Sequence, residues 1–171
     1  MDNLSLILGG ASSGKSAYAE RMALATKRTP VYLATGQAGD SEMAGKIARH
    51  QARRGPEWQL IEAPLDICTP LRGLGARQVA LLDCLTLWLS NHLAAGHDIE
   101  AETTRLLDTI AITEARVIAV SNELGLGLVP ATPLGRAFRD AQGQLNQRIA
   151  AAATHVTFVA AGLPLDLKAP A

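Results

Sequence analysis

Aromatic side chains are scarce in these 171 residues, only 4%, while apolar residues make up 48%. Rings therefore cannot dominate the interior. The core is aliphatic, built from Leu, Ile, Val and Ala, which suits a sheet covered by helices on both faces. One sign of charge does not prevail either: 16 Lys and Arg balance 16 Asp and Glu. No global field draws in nucleic acid or an anionic membrane, so any anion site must be local. With few aromatics and no long basic patch, a role in binding DNA or RNA has little support. Cysteine is limited to Cys68 and Cys84, with no CxxC pair and no Cys/His cluster at zinc spacing. That count excludes a disulfide framework and fits a reducing cytoplasm. Long apolar runs are also missing. The longest are strand-sized, which excludes a transmembrane helix and stable membrane insertion, and residues 4–8 are too short for a secretion signal. The length points to one domain over 1–171.

What is present is an alternation of strand and helix patterns. Apolar runs at 4–8, 31–35, 58–62, 79–83, 116–121 and 156–160 read as strands, the last of these as the final one. Helical patterns cover 16–26, a segment from Asp40 or Ser41 to about Arg54, 85–93, 99–114 and 134–153, with a short helix after Pro64. Residues 122–133, broken by glycines and prolines, read as a functional loop, and 162–164 begin a tail. This order implies an α/β fold with a mostly parallel, doubly wound sheet and right-handed crossovers. Ligands of such sheets sit at the carboxyl ends of the strands.

The residues after the first strand carry the strongest signal. Gly9-Gly10-Ala11-Ser12-Ser13-Gly14-Lys15-Ser16 fits G-x-x-x-x-G-K-S in full, between a predicted strand and a predicted helix. Glycines let successive N–H groups point at one phosphate, and the helix N-terminus adds partial positive charge. Lys15 reaches the β- and γ-phosphates, and Ser16 supplies a ligand for Mg2+. The fold expected is a three-layer P-loop NTPase (RecA-like) with this mostly parallel, doubly wound sheet. Asp83, closing an apolar run, is the candidate acid for Mg2+, on a strand end beside the phosphate loop; the alternative is an N-cap for the helix that follows. Lys46, Arg53 and Arg54 stand four, three and four residues from His50, on one helix face. Such a cationic row calls for an anion and would favour a neutral, nucleophilic imidazole at His50. A solvated face with an incidental histidine fits the spacing as well. His92 and His97 lack comparable cationic company, and His155 begins a strand and reads as structural.

Several motifs in order resemble one family. They are the Gly9–Ser16 loop, Ala34-Thr35-Gly36, Glu42-Met43 through Ile47 and His50, and Asp83-Cys84-Leu85-Thr86-Leu87-Trp88. Then come Ser121-Asn122-Glu123-Leu124-Gly125-Leu126-Gly127 with Val129-Pro130, Phe138-Arg139-Asp140 with Leu145-Asn146-Gln147, and Gly162-Leu163-Pro164. The set resembles the bifunctional adenosylcobinamide kinase/adenosylcobinamide-phosphate guanylyltransferases of cobalamin biosynthesis. The resemblance implies phosphorylation of adenosylcobinamide with ATP or GTP, then transfer of GMP from GTP to adenosylcobinamide phosphate through a GMP-histidine intermediate. It places that intermediate on His50. The nucleotide contacts it implies are Gly9, Gly10, Ala11, Ser12, Ser13, Gly14, Lys15 and Ser16, then Ala34, Thr35 and Gly36, then Gln51, Ala52, Arg53 and Arg54, with Glu62 and Asp83. Mg2+ on Ser16 and Asp83, a cytoplasmic homotrimer and sites between subunits are likewise implied. Ser12 departs from the family's usual Arg, which removes one phosphate contact, and Asp83 stands where relatives also carry Glu. Asn122 and Glu123 are open as helpers of the kinase step or as shapers of their loop. A P-loop small-molecule kinase with His50 inert and a GTP-dependent switch are the competing readings.

Overall fold

The computed structural model describes residues 3–36 and 54–169. The predicted helix from Asp40 or Ser41, with His50, Gln51, Ala52 and Arg53, lies outside the described residues.

The elements alternate much as the apolar pattern requires. Strand β1 (Leu4–Gly9) feeds helix α1 (Lys15–Ala25), followed by β2 (Thr29–Ala34) and then β3 (Gln59–Glu62). Next come α2 (Cys68–Arg72), β4 (Gln78–Asp83), α3 (Leu85–Ala94) and α4 (Ile99–Ile112). The chain closes with β5 (Arg116–Asn122), α5 (Pro133–Ala152), β6 (His155–Ala160) and β7 (Leu163–Lys168). These build a 7-stranded sheet in the order β3-β2-β4-β5-β1-β6-β7. Every pairing is parallel except β6 with β7. The histidine at the start of β6 is partly buried, in keeping with a structural role.

Strand side chains alternate between two cores. Leu6, Leu33, Leu82 and Val117 face one, with Trp88, Leu89, Leu106, Ile110, Leu145 and Ile149 from α3, α4 and α5. Ile7, Tyr32, Leu81 and Ile118 face the other, with Ala19 and Ala23 of α1. Burial on both faces explains why the strands read as continuous apolar runs rather than as alternating ones.

Where the sequence predicts a tail, residues 163–168 form β7, so β6 is not the final strand. Ala161 (φ 51°) and Gly162 (φ 80°) both adopt left-handed conformations between β6 and β7. Positive φ at both central positions is what a tight hairpin turn demands. The signal was readable, because Leu163, Leu165 and Leu167 alternate with Pro164, Asp166 and Lys168 at strand period.

Candidate active site

The phosphate loop is held in place from three strands. Gly9 registers with Asn122 of β5 and Val159 of β6, and its carbonyl accepts from the Glu123 N–H at 3.0 Å. A Cβ at Gly9 would stand 2.5 Å from both Ser13 Oγ and the Val159 carbonyl oxygen, so only glycine fits. Beyond it, Ser12 takes φ 57° and Gly14 φ 95°, and the Gly162 N–H donates to the Ser13 carbonyl at 2.8 Å. Gly14 is the N-cap of α1 and provides no side-chain cap. The first N–H groups of that helix therefore face the loop as donors for an anion. Ser13 Oγ is buried there with no hydrogen-bond partner, which fits a cradle shaped around an oxygen-rich group. Lys15 is buried, and its Nζ donates to the Gly10 carbonyl at 2.9 Å. Burial lowers its pKa, opposed by the nearby Cys84 and Asp83.

Gly14→Ala is expected to destabilise the fold by about 1–2 kcal/mol, the cost of a left-handed conformation for an L-residue. Its new methyl would also lie 3.1 Å from Gly162 Cα. Urea denaturation of the variant checks this.

Glu62, Ala34 and Asp83 stand in one row across the carboxyl ends of β3, β2 and β4, by register. Asp83 closes a strand two places from the P-loop strand, because β5 lies between β4 and β1. It is the reach of Lys15 that brings the two together, since Lys15 feels the Asp83 charge. Nor does Asp83 cap a helix. The N-cap of α3 is Cys84, with no side-chain cap, and the Asp83–Cys84 peptide is cis. Asp83 instead accepts a 2.9 Å hydrogen bond from the Tyr32 hydroxyl. Burial, then the Asp83 charge, pushes the Tyr32 phenol far above its ordinary range, so it remains a donor. The guanidinium of Arg54, at a bend before β3, lies 3.4 Å over the Tyr32 ring. Tyr32 thus joins Arg54 to Asp83. Sequence reasoning missed it, because Tyr32 sits inside an apolar run and reads as core. The Cys84 thiol is pushed up to about 11, chiefly by burial and then by Asp83, which makes it inert near neutral pH.

Thr35 is fully buried and works as a brace between the ends of β2 and β4. Its hydroxyl donates to the Cys84 carbonyl at 2.7 Å and accepts from the Cys84 N–H at 2.8 Å. Its own carbonyl accepts from Asn91 Nδ2 at 2.9 Å. Ala34 and Gly36 flank it half-buried, and Glu62 is exposed. Thr35→Val keeps the shape but strands both backbone groups of Cys84. The expected loss is about 1–3 kcal/mol, with weaker nucleotide binding as Asp83 loses its support; chemical denaturation and nucleotide titration measure the two effects.

The tip of β5 rests on a buried polar network. Ser121 Oγ donates to Asn146 Oδ1 at 2.7 Å, Gln142 Nε2 donates to Ser121 Oγ at 2.9 Å, and Asn146 Nδ2 donates to the Asn122 carbonyl at 3.0 Å. Thr86 Oγ1 accepts from the Asn122 N–H at 2.9 Å. Gln142 was missed by sequence reasoning, although two amides four residues apart on the inner face of α5 are a readable departure from a helix core pattern. Glu123 accepts from the Gly125 N–H, which is the loop-shaping alternative.

Ser16, half-buried in the first turn of α1, and Asp83 offer a hydroxyl and a carboxylate. All-oxygen donors of this kind suit Mg2+, so the residues present fit that ion.

The family model "Cobinamide kinase / cobinamide phosphate guanyltransferase" matches residues 5–167. The bifunctional adenosylcobalamin biosynthesis protein CobP of Pseudomonas aeruginosa is 46% identical over 166 residues, 95% of this chain and 96% of its own. CobU of Escherichia coli, also named a bifunctional adenosylcobalamin biosynthesis protein, is 34% identical over 179 residues, 95% of this chain and 98% of its own. Among solved structures, the RadB recombinase aligns with a TM-score of 0.54 at 15% identity, over 91% of this chain and 73% of that one. That likeness concerns the fold alone, and with the sheet order it makes this a RecA-like P-loop NTPase fold. A family model spanning nearly the whole chain, agreeing with a complete phosphate loop on this scaffold, leaves one conclusion: the chain belongs to the cobinamide kinase / cobinamide phosphate guanyltransferase family.

Proposed function

We propose that this chain phosphorylates adenosylcobinamide with ATP or GTP and then transfers GMP from GTP to adenosylcobinamide phosphate, releasing pyrophosphate. The observation that carries this reading is the family match over residues 5–167 on a chain whose phosphate loop sits in the geometry given above. In both steps the Gly9–Ser16 backbone and Lys15 hold the triphosphate. Ser16 and Asp83 would hold Mg2+, which supplies charge neutralisation on the phosphate oxygens when bound. Tyr32 orients the Asp83 carboxylate by its 2.9 Å hydrogen bond. Thr35 acts as a positioning residue between Ala34 and Gly36, and Glu62 at the end of β3 accepts from ribose hydroxyls or a guanine edge.

The kinase step needs no covalent intermediate; positioning and charge stabilisation suffice. In the guanylyl step His50 attacks the α-phosphorus, the bond to the pyrophosphate oxygen breaks, and GMP rests on the imidazole before the corrinoid phosphate displaces it. Gln51, Ala52, Arg53 and Arg54 follow His50 directly and contact the same nucleotide. Arg54 already lies against Tyr32, which supports a route from the nucleophile's segment to Asp83. The working form is a cytoplasmic homotrimer with sites between subunits, checked by its mass in solution. Adenosylcobinamide supplied with ATP, then with GTP, should gain first the mass of one phosphoryl group and then that of GMP. A product that stops at the phosphate would sink the second half of the proposal.

A further inference from the structure

Away from the phosphate loop, the connection between α3 and α4 gathers His92, His97 and Glu102, with candidate ligand atoms all within 4.8 Å of one another. The backbone puts them there. Helix α3 ends on Ala94, and Gly96 takes φ 72°. The His97 N–H returns to the His92 carbonyl at 3.0 Å and the Gly96 N–H to that of Leu93 at 3.1 Å. This paired bonding around a left-handed glycine is a Schellman stop, and it folds His97 back over His92. Asp98 then caps α4 through the N–H groups of Glu100 and Ala101, which sets Glu102 in the first turn.

The protonation pattern follows from the partners. His92 is 1% exposed, with its ring 4.4 Å from that of Trp88. Its Nε2 lies 3.1 Å from the Leu65 carbonyl oxygen. A carbonyl only accepts, so Nε2 carries the proton and Nδ1 presents a lone pair. That lone pair faces His97 Nδ1 at 2.9 Å, and His97 is the donor. A buried imidazole whose far nitrogen is tied to a backbone carbonyl is the arrangement that orients metal-ligating histidines. The Glu102 carboxylate is oriented by Arg105, at 2.9 Å and 3.0 Å, and Arg105 is itself drawn toward Asp66. His97 is exposed, so one side of the cluster opens to solvent.

We propose that His92 Nδ1, His97 Nδ1 and the Glu102 carboxylate form a binding site for a divalent cation of the zinc class. Two imidazoles and one carboxylate with an open side match the preferences of Zn2+ and Co2+, not those of Mg2+. On binding, the proton between the two rings moves from His97 Nδ1 to His97 Nε2 at the solvent side. Two N–metal bonds replace one N–H···N bond, and the displaced proton stays on the His97 ring. The role is structural. Leu65, whose carbonyl also accepts from Trp88 Nε1 at 3.0 Å, follows the end of β3, so the ion braces that wall of the sheet against the α3–α4 turn.

The test uses the full untagged chain, stripped with a chelator and without nucleotide, titrated with Zn2+ and with Co2+. One ion per chain should bind, raise the melting temperature, give the visible bands of a low-coordinate N/O Co2+ site, and quench Trp88 fluorescence. His97→Ala changes an exposed residue and should weaken binding at least about 100-fold; Glu102→Gln should weaken it at least about tenfold, since outer-shell changes alone cost 10–100-fold. Both variants should retain the two transferase activities. No saturable binding by the native chain overturns the proposal. So does binding that His97→Ala leaves intact, which places the ion elsewhere, and an indifferent Glu102→Gln overturns the three-ligand set.

Discussion

Replacing Lys15 with Met should cost both phosphoryl transfer and guanylyl transfer about 10^3-fold, yet the variant should melt no earlier than the native chain. The first figure is that of removing a cationic or hydrogen-bonding group aimed at charge developing in the transition state. In the proposed function both steps use the same triphosphate cradle, so both should suffer. The second expectation comes from burial. Lys15 is largely enclosed in the loop, and its pKa is lowered from 10.5 by desolvation first, with Cys84 and Asp83 only partly compensating. A group whose folded-state affinity for a proton is reduced destabilises the fold while it is charged. Between the lowered folded value and 10.5 the unfolded chain holds more protons than the folded one, so stability rises with pH across that window and is depressed below it. Methionine keeps the apolar stem and drops the buried charge. Steady-state rates for each step, with thermal melts at neutral and alkaline pH, check the pair of claims: the native chain should gain on the variant as pH rises toward 10.5. A variant that is both inactive and strongly destabilised would instead mean that the bond from Nζ to the Gly10 carbonyl outweighs the desolvation.

Much of this site was legible because backbone chemistry restricts residue choice. Gly9 and Gly14 are fixed by contact and by φ, and Lys15 and Ser16 by what phosphate and its cation require. The strand order was less so. A buried parallel strand shows only apolar residues, whichever neighbours it has, and the position of β5 between β4 and β1 is a property of long-range pairing. The hairpin from β6 to β7 was hidden for a different reason. Its leucines are exposed, at 72%, 62% and 58% for Leu163, Leu165 and Leu167, so the segment resembles a tail in composition while keeping the period of a strand. Tyr32 and Gln142 escaped because their polar atoms act from within apolar patterns. Only the fold reveals that the Tyr32 hydroxyl meets Asp83 and that the Gln142 amide meets Ser121. The histidine pair near α4 needed a Schellman turn to bring residues five apart into contact. Cysteine-based metal spacing does not anticipate such a pair.

His50→Ala should separate the two activities that Lys15 joins. Incubated with α-labelled GTP, the native chain is expected to take up label in a form that acid releases and base does not, as a phosphoramidate on imidazole behaves. The variant should carry none. Guanylyl transfer then falls to whatever direct displacement by the corrinoid phosphate achieves within the intact cradle, a loss of about 10^4-fold or more, in the range seen when a nucleophile is deleted from a site whose binding groups remain. The kinase step should continue at its native rate, since in-line transfer of the γ-phosphoryl group needs only positioning and charge. Adenosylcobinamide phosphate should therefore accumulate when the variant receives ATP and GTP together. A folding defect would lower both activities in parallel, so the selective loss is itself the control. Retained label in His50→Ala would move the nucleophile to another side chain. Retained transfer without label would mean that GMP passes directly from GTP to the phosphate, and the cationic row at Lys46, Arg53 and Arg54 would then serve to hold the triphosphate for that attack.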